Sequence, residues 1–77
     1  MKTNDILQYA DEQIADVKYF YDETLTICVI TMLNGFKVVG ESNVIDPSKY
    51  DKLKGMQISR QKAYNKFIDI LAYSLKQ

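Results

Sequence analysis

An α+β domain with the order α-β-β-β-α is the fold class that this 77-residue chain predicts. Three observations carry it: apolar residues recur at helical spacing near both ends, the middle is rich in branched and aromatic residues, and Asn34-Gly35 interrupts that middle with a hairpin signal. The length suits one domain over residues 1–77, because so short a chain buries only roughly 60% of its unfolded surface and cannot sustain two cores. Hydrophobic residues make up 47% and charged ones 26%, a globular balance.

Taken in order, Thr3 or Asn4 can cap a first helix, and Asp5 complements the positive end of its dipole. Ile6, Leu7, Ala10, Ile14 and Val17 follow at three- and four-residue steps, an apolar stripe opposite Gln8, Asp11, Glu12 and Asp16. Val17 to Tyr21 suits a pleated surface and is followed by the polar break Asp22-Glu23-Thr24, which predicts a short first strand. Leu25 to Leu33 is stronger strand material. It runs into Asn34-Gly35, whose tolerance of positive φ predicts a two-residue type I′ loop.

That loop implies a register with Leu33 opposite Phe36, Thr31 opposite Val38 and Val29 opposite Gly40. The face of Leu25, Ile27, Val29, Leu33, Phe36 and Val38 then turns toward two helices, while Thr26, Cys28, Ile30 and Met32 turn away with Lys37, Val39 and Glu41. The sheet is a three-stranded antiparallel meander, or a hairpin alone. Asp46 as an N-cap and Pro47 in the first helical position predict a short helical turn around Ser48 to Lys52. Gly55 breaks the path before a final helix from about Gln57 to Leu75, in which Tyr64, Phe67, Ile68, Leu71 and Leu75 keep helical spacing.

Catalytic chemistry is hard to assemble from this inventory. There is no histidine to move protons near neutral pH and no glycine-rich phosphate loop, so the expectation is a protein that is not an enzyme. Cys28 lies mid-strand without a histidine base and reads as a structural thiol. One cysteine cannot form an internal disulfide, which suits a reducing cytoplasm. Nor can one cysteine without histidine close a zinc site, and Glu41, Asp46 and Asp51 match no calcium loop; neither metal nor cofactor is expected. The longest nearly apolar run, Ile27 to Leu33, falls far short of the ~20 residues that span a bilayer, so no membrane crossing is expected.

Binding is the remaining class. Cys28, Ile30, Met32 and Val39 on the outward ribbon face form an apolar patch of a kind monomers seldom leave exposed, and a homodimer through it is expected. The six tyrosines suit interface edges. Lys49, Lys52, Lys54 and Arg60 gather near the entrance to the last helix, where backbone amides and positive charge can hold a phosphate. Nucleic-acid binding there is the alternative reading, against a formal net charge of zero and a pI of about 6.1.

From Cys28 onward the chain carries Cys28-Val29, Thr31, Asn34-Gly35-Phe36, Val38, Gly40-Glu41-Ser42, Asp46-Pro47 and an aromatic at Tyr50. Gly55, Ile58, Arg60, Ala63, Lys66 and Tyr73 follow. In these residues, over Cys28 to Leu75 and without the N-terminal helix, it resembles the small phage protein family typified by gene product 49 of phage N4 and gene product 66 of phage Sf6. It departs at Met56 and Gln57, where that family is basic, and at Ile68-Asp69, where it tends to have Trp-Pro.

The resemblance implies a phage accessory protein acting in the infected cell, with no catalytic residue; with the single cysteine, the expected location is the host cell cytoplasm. Proteins of this kind commonly bind and inhibit a host factor or an antiviral-defence protein. Gly40, Glu41 and Ser42, with Lys49, Tyr50 and Lys52 beyond them, are the expected partner-binding residues, because a loop held between a hairpin and a helix presents side chains rigidly. Sequestration of a nucleotide signal in a pocket between subunits is a third possibility.

Overall fold

The computed structural model describes the backbone of residues 3–75 and the side chains of residues 8–73. It contains α1 (Thr3–Glu12), β1 (Ile14–Asp22), β2 (Leu25–Met32), β3 (Lys37–Asn43), a 3-10 turn (Pro47–Lys49) and α2 (Lys52–Leu75). The expected order holds. The expected capping by Thr3 or Asn4, and the side chains of Ile6, Leu7 and Leu75, lie outside the described side chains.

The three strands form an antiparallel meander in the order β1-β2-β3. Residues 17–21 are therefore a strand, and a longer one than its composition suggests. Ile14 and Val17, which their spacing assigns to α1, belong to β1. The register shifts between Ile14 and Asp16, so that Ile14 pairs with Met32 and Val17 with Ile30. This bulge at Ala15 places two residues three apart on one face, which reproduces a helical spacing inside a strand.

Two different loops join the strands. Asp22 pairs with Leu25 around Glu23-Thr24, a two-residue loop in which Glu23 takes φ +52°. Between β2 and β3, the Met32 amide donates to Phe36 O (2.7 Å) and the Gly35 amide to Met32 O (2.9 Å). Leu33, Asn34 and Gly35 therefore make a three-residue loop. Gly35 has φ +89° and Asn34 does not take positive φ, the pattern of a turn closed by a glycine bulge rather than a type I′ loop. The Asn34 side chain accepts from the Phe36 amide at 3.0 Å instead.

The extra loop residue moves the register by one place, to Ile30 opposite Val38 and Cys28 opposite Gly40. Because side chains alternate along a strand, that slip exchanges the two faces of β2. Thr26, Cys28, Ile30 and Met32 are buried beneath α2, while Leu25, Ile27, Val29 and Thr31 are half-buried on the opposite side. Leu33 and Phe36, expected in the core, are exposed; Val38 is inward as expected.

Helix α2 begins five residues before its expected start. Asp51 caps it, accepting from the Leu53 amide at 3.0 Å and the Lys54 amide at 3.3 Å. Gly55 sits within the helix rather than ahead of it, since a side chain there would strike Thr26 Oγ1 at 2.7 Å. Gly55, Ser59, Ala63 and Phe67, four residues apart, are all buried and form the stripe that lies on the sheet. Gly40 completes this close approach: a Cβ there would fall 2.1 Å from Ser59 O and 2.3 Å from Ala63 N. The core joins Ala10, Cys28, Ile30, Met32, Val38, Ala63 and Phe67, with Ile14, Val17, Tyr19, Tyr64, Ile68 and Leu71 packed around it.

All of this packing lies on one side of the sheet. The 24-residue α2 spans roughly 36 Å at 1.5 Å per residue, longer than the strands beneath it. The molecule measures 45 × 22 × 17 Å. Its radius of gyration is 13.9 Å, against roughly 11.5 Å for an equally long compact chain.

Candidate partner-binding surfaces

The slip of register that buries Ile30 also carries Leu33 and Phe36 out to the hairpin tip. There they edge a cleft of about 560 Å³ whose floor includes Met32 and Phe67. Tyr9 of α1 and Ile70 of α2 close its sides, and Gln13 and Asn34 supply polar groups at its rim. Leu33 is 64% exposed, Phe36 49%, Ile70 42% and Tyr9 40%, so the walls are apolar and accessible. The frame is tied together, since the Leu33 amide donates to Gln13 O at 2.8 Å. The register implied by a two-residue Asn34-Gly35 loop assigned Leu33 and Phe36 to the core face; the third loop residue places both at the tip instead.

At the other end of the sheet lie the residues expected to bind a partner, and the structure does not bring them into one site. Gly40 is buried against α2 and reaches no surface ligand, because its lack of a side chain is what admits the helix backbone. Ser42 points the same way and is 6% exposed. It borders a depression of about 250 Å³ together with Asn43, Val44, Lys49, Lys54 and Ile58. Glu41 projects from the opposite side of the sheet, and Tyr50 is half-buried. Lys52 holds its Nζ 4.7 Å from the Tyr21 ring centroid, a cation–π contact that turns it toward β1.

The expected self-association patch is corrected likewise. Cys28 and Ile30 are 0% exposed and Met32 4%, all beneath α2, because the three-residue loop exchanges the faces. Val39 alone of that set faces outward, at 43% exposure. The open face instead presents Phe20, Leu25, Ile27, Val29 and Val39.

The basic entrance to α2 is also differently built. The Asp51 carboxylate already occupies the Leu53 and Lys54 amides, groups an incoming phosphate would need. Arg60 lies a turn and a half farther on, in a shallow polar depression with Asp11, Gln57, Gln61 and Tyr64. Tyr64 donates its hydroxyl to Asp11 Oδ1 at 2.9 Å, joining α1 to α2. Burial, then this bond to Asp11, raises the Tyr64 pKa. Burial also raises the Cys28 thiol and the neighbouring Tyr19 hydroxyl, the latter further through Cys28 itself. These groups are held neutral, the opposite of an activated nucleophile.

Among the described residues no three Cys, Asp or Glu side chains converge as a metal site would require. No helix among them is long and apolar enough to cross a membrane.

Fold and surface together define a small α+β protein in which one long helix backs a three-stranded meander and leaves both a hairpin-end cleft and a sheet face open. The chain belongs to the Phage protein (N4 Gp49/phage Sf6 gene 66) family, whose model matches residues 6–77. The match thus takes in most of α1 and all of β1, beyond the stretch from Cys28 in which the resemblance is legible by eye. No curated protein and no solved structure matches the chain.

Proposed function

We propose that this phage protein is an accessory factor of the host cell cytoplasm that acts without catalysis, by direct contact with a host or antiviral-defence protein. The observation that carries this reading is the open apolar cleft beside the hairpin tip. Its edges are Leu33 and Phe36 on a closed turn and Tyr9 and Ile70 on helices, so an inserted side chain meets walls that need little reordering. Preformed walls reduce the ordering cost of association, and apolar anchors in such a cleft dominate binding energy. The occupant is a protein segment with a few large apolar side chains, held at the rim by hydrogen bonds to Gln13 and Asn34.

Affinity capture from infected cells, with the wild-type chain and with Leu33→Asp and Phe36→Asp as bait, tests this reading. Both positions are exposed, so both variants are expected to fold. One host or defence protein enriched by the wild type in a salt-tolerant manner, and lost with either variant, is the expected result. Equal enrichment by the variants would place the contact elsewhere. Recovery that disappears with moderate salt and nuclease would instead favour nucleic acid, whose binding weakens steeply as counterions are restored.

A further inference from the structure

We infer that the open face of the sheet is where two copies of this chain associate, face to face, about a twofold axis running along β2. The outward side chains form four rows across the strands. They are Asp22, Leu25 and Asn43; then Phe20, Ile27 and Glu41; then Lys18, Val29 and Val39; and last Asp16, Thr31 and Lys37. The middle column is apolar apart from Thr31, and Phe20 (55% exposed) and Val39 (43%) widen it on either side. Charged groups are confined to the two outer columns. A water-excluding centre with a polar rim is the anatomy of an interface.

Charge decides which occupant and which axis. A twofold along β2 places β1 over the partner's β3 and keeps every row opposite itself. Asp16 then faces the partner's Lys37, twice over by symmetry, and no two like charges oppose one another directly. Leu25, Ile27 and Val29 each meet their own copies on the axis, and Phe20 lies over the aliphatic stem of the partner's Glu41. A twofold across the strands inverts the rows and sets Asp16 against the partner's Asp22, also twice over. Like charges brought together at an interface are strongly disfavoured, so the first arrangement is selected.

The shape of the monomer points the same way. A single sheet with helix on one side only is 17 Å thin at its narrowest, and a second sheet packed about 10 Å away completes a sandwich. The cleft at the hairpin tip is left open in this arrangement, so dimerisation and partner contact use different surfaces.

Light scattering across a concentration series tests the inference. The wild type is expected to show twice its 8.9 kDa monomer mass. Val29→Asp, on the axis, is expected to give a monomer with an unchanged circular dichroism spectrum. Should Val29→Asp fail to fold, Val39→Lys, at a more exposed position, reads out the same contact. Asp16→Lys is expected to weaken the dimer at least about tenfold, which is about 1.4 kcal/mol. Asp16→Lys combined with Lys37→Asp is expected to restore it. A wild type that stays monomeric, a dimer unmoved by the Val29 and Val39 substitutions, or a double variant no tighter than the single one would each overturn the inference.

Discussion

Beneath α2, Gly40, Ser59 and Ala63 bring helix and sheet backbones so close that one added methyl finds no room. On the other side of the same three strands, half-buried Ile27 and Val29 and exposed Val39 project branched side chains away from α2. By side-chain volume the two sides look reversed, since the larger aliphatic residues of β2 and β3 are not all on the buried one. The difference teaches that small residues, where they match across two elements, select a buried face as strongly as large ones do. Close backbone approach gains dispersion contacts along the whole contact line, and a void or a clash there is equally felt.

The largest effect is expected at Gly40. Gly40→Ala is expected to destabilise by about 3 kcal/mol or more, because the obstructing atoms are helix backbone and cannot swing aside. In a domain this small that approaches complete unfolding, which thermal denaturation would register; a melting temperature within a degree or two of wild type would show that α2 is not seated as described.

Next in size is the contrast between adjacent residues of β2. Ile30→Ala should cost about 2–5 kcal/mol through lost burial and a cavity, whereas Val29→Ala should cost under about 1 kcal/mol by denaturant titration of the monomer. Equal costs would mean that the faces are not distinguished by packing.

The two hairpins offer a finer test. Gly35→Ala should destabilise by about 1–2 kcal/mol, because φ +89° strains any residue with a Cβ. Glu23→Gly should raise stability by up to about 1 kcal/mol, relieving the φ of +52° in the shorter loop. Chemical denaturation of both variants checks the opposite signs.

Thr26 lies on the buried face itself. Its hydroxyl is fully buried and has no hydrogen-bond partner among the described residues. Thr26→Val, close in shape, should therefore be neutral or stabilising by about 1 kcal/mol. A clear loss of stability would reveal a partner for that oxygen.

The slightest effect expected is one of pH. Cys28 and Tyr19 have pKa values raised from ordinary values of 9.0 and 10.0, chiefly by burial. The folded state thus keeps protons that the unfolded chain releases at alkaline pH. This contribution is fully present below the unfolded values and is lost as pH rises through the folded ones. Unfolding free energy should fall as pH rises above 9, and Cys28 should resist thiol reagents until the chain unfolds.

Local chemistry was legible in particular residues. Asp46 caps a helical turn as expected, its Oδ1 accepting from the Ser48 amide at 3.0 Å, although the turn covers Pro47–Lys49 rather than Ser48 to Lys52, and Lys52 already belongs to α2. Phe67 is buried, and Tyr64, Ile68 and Leu71 pack around the core, as helical spacing indicated. The candidate site was less legible. Gly40 and Ser42 face α2, Glu41 faces away, and Leu33 and Phe36 define a cleft that no linear motif announces. The four-residue spacing of Gly55, Ser59 and Ala63 did hold a signal. It marks a helix face made for close contact, and Gly40 is its counterpart in the sheet.

Local sequence settled the two helices, the Leu25 to Leu33 strand and the turns, because caps, branched residues and turn formers act through neighbours a few bonds away; it left open whether residues 17–21 join the sheet. Which side of β2 lies inside was decided only in three dimensions. Both alternating sets, Leu25-Ile27-Val29 and Cys28-Ile30-Met32, are apolar, so hydrophobicity barely separates them. The choice fell to one extra residue in the Leu33-Asn34-Gly35 loop and to the fit of Gly40 against Ser59 and Ala63, contacts made only once α2 has folded back over the sheet.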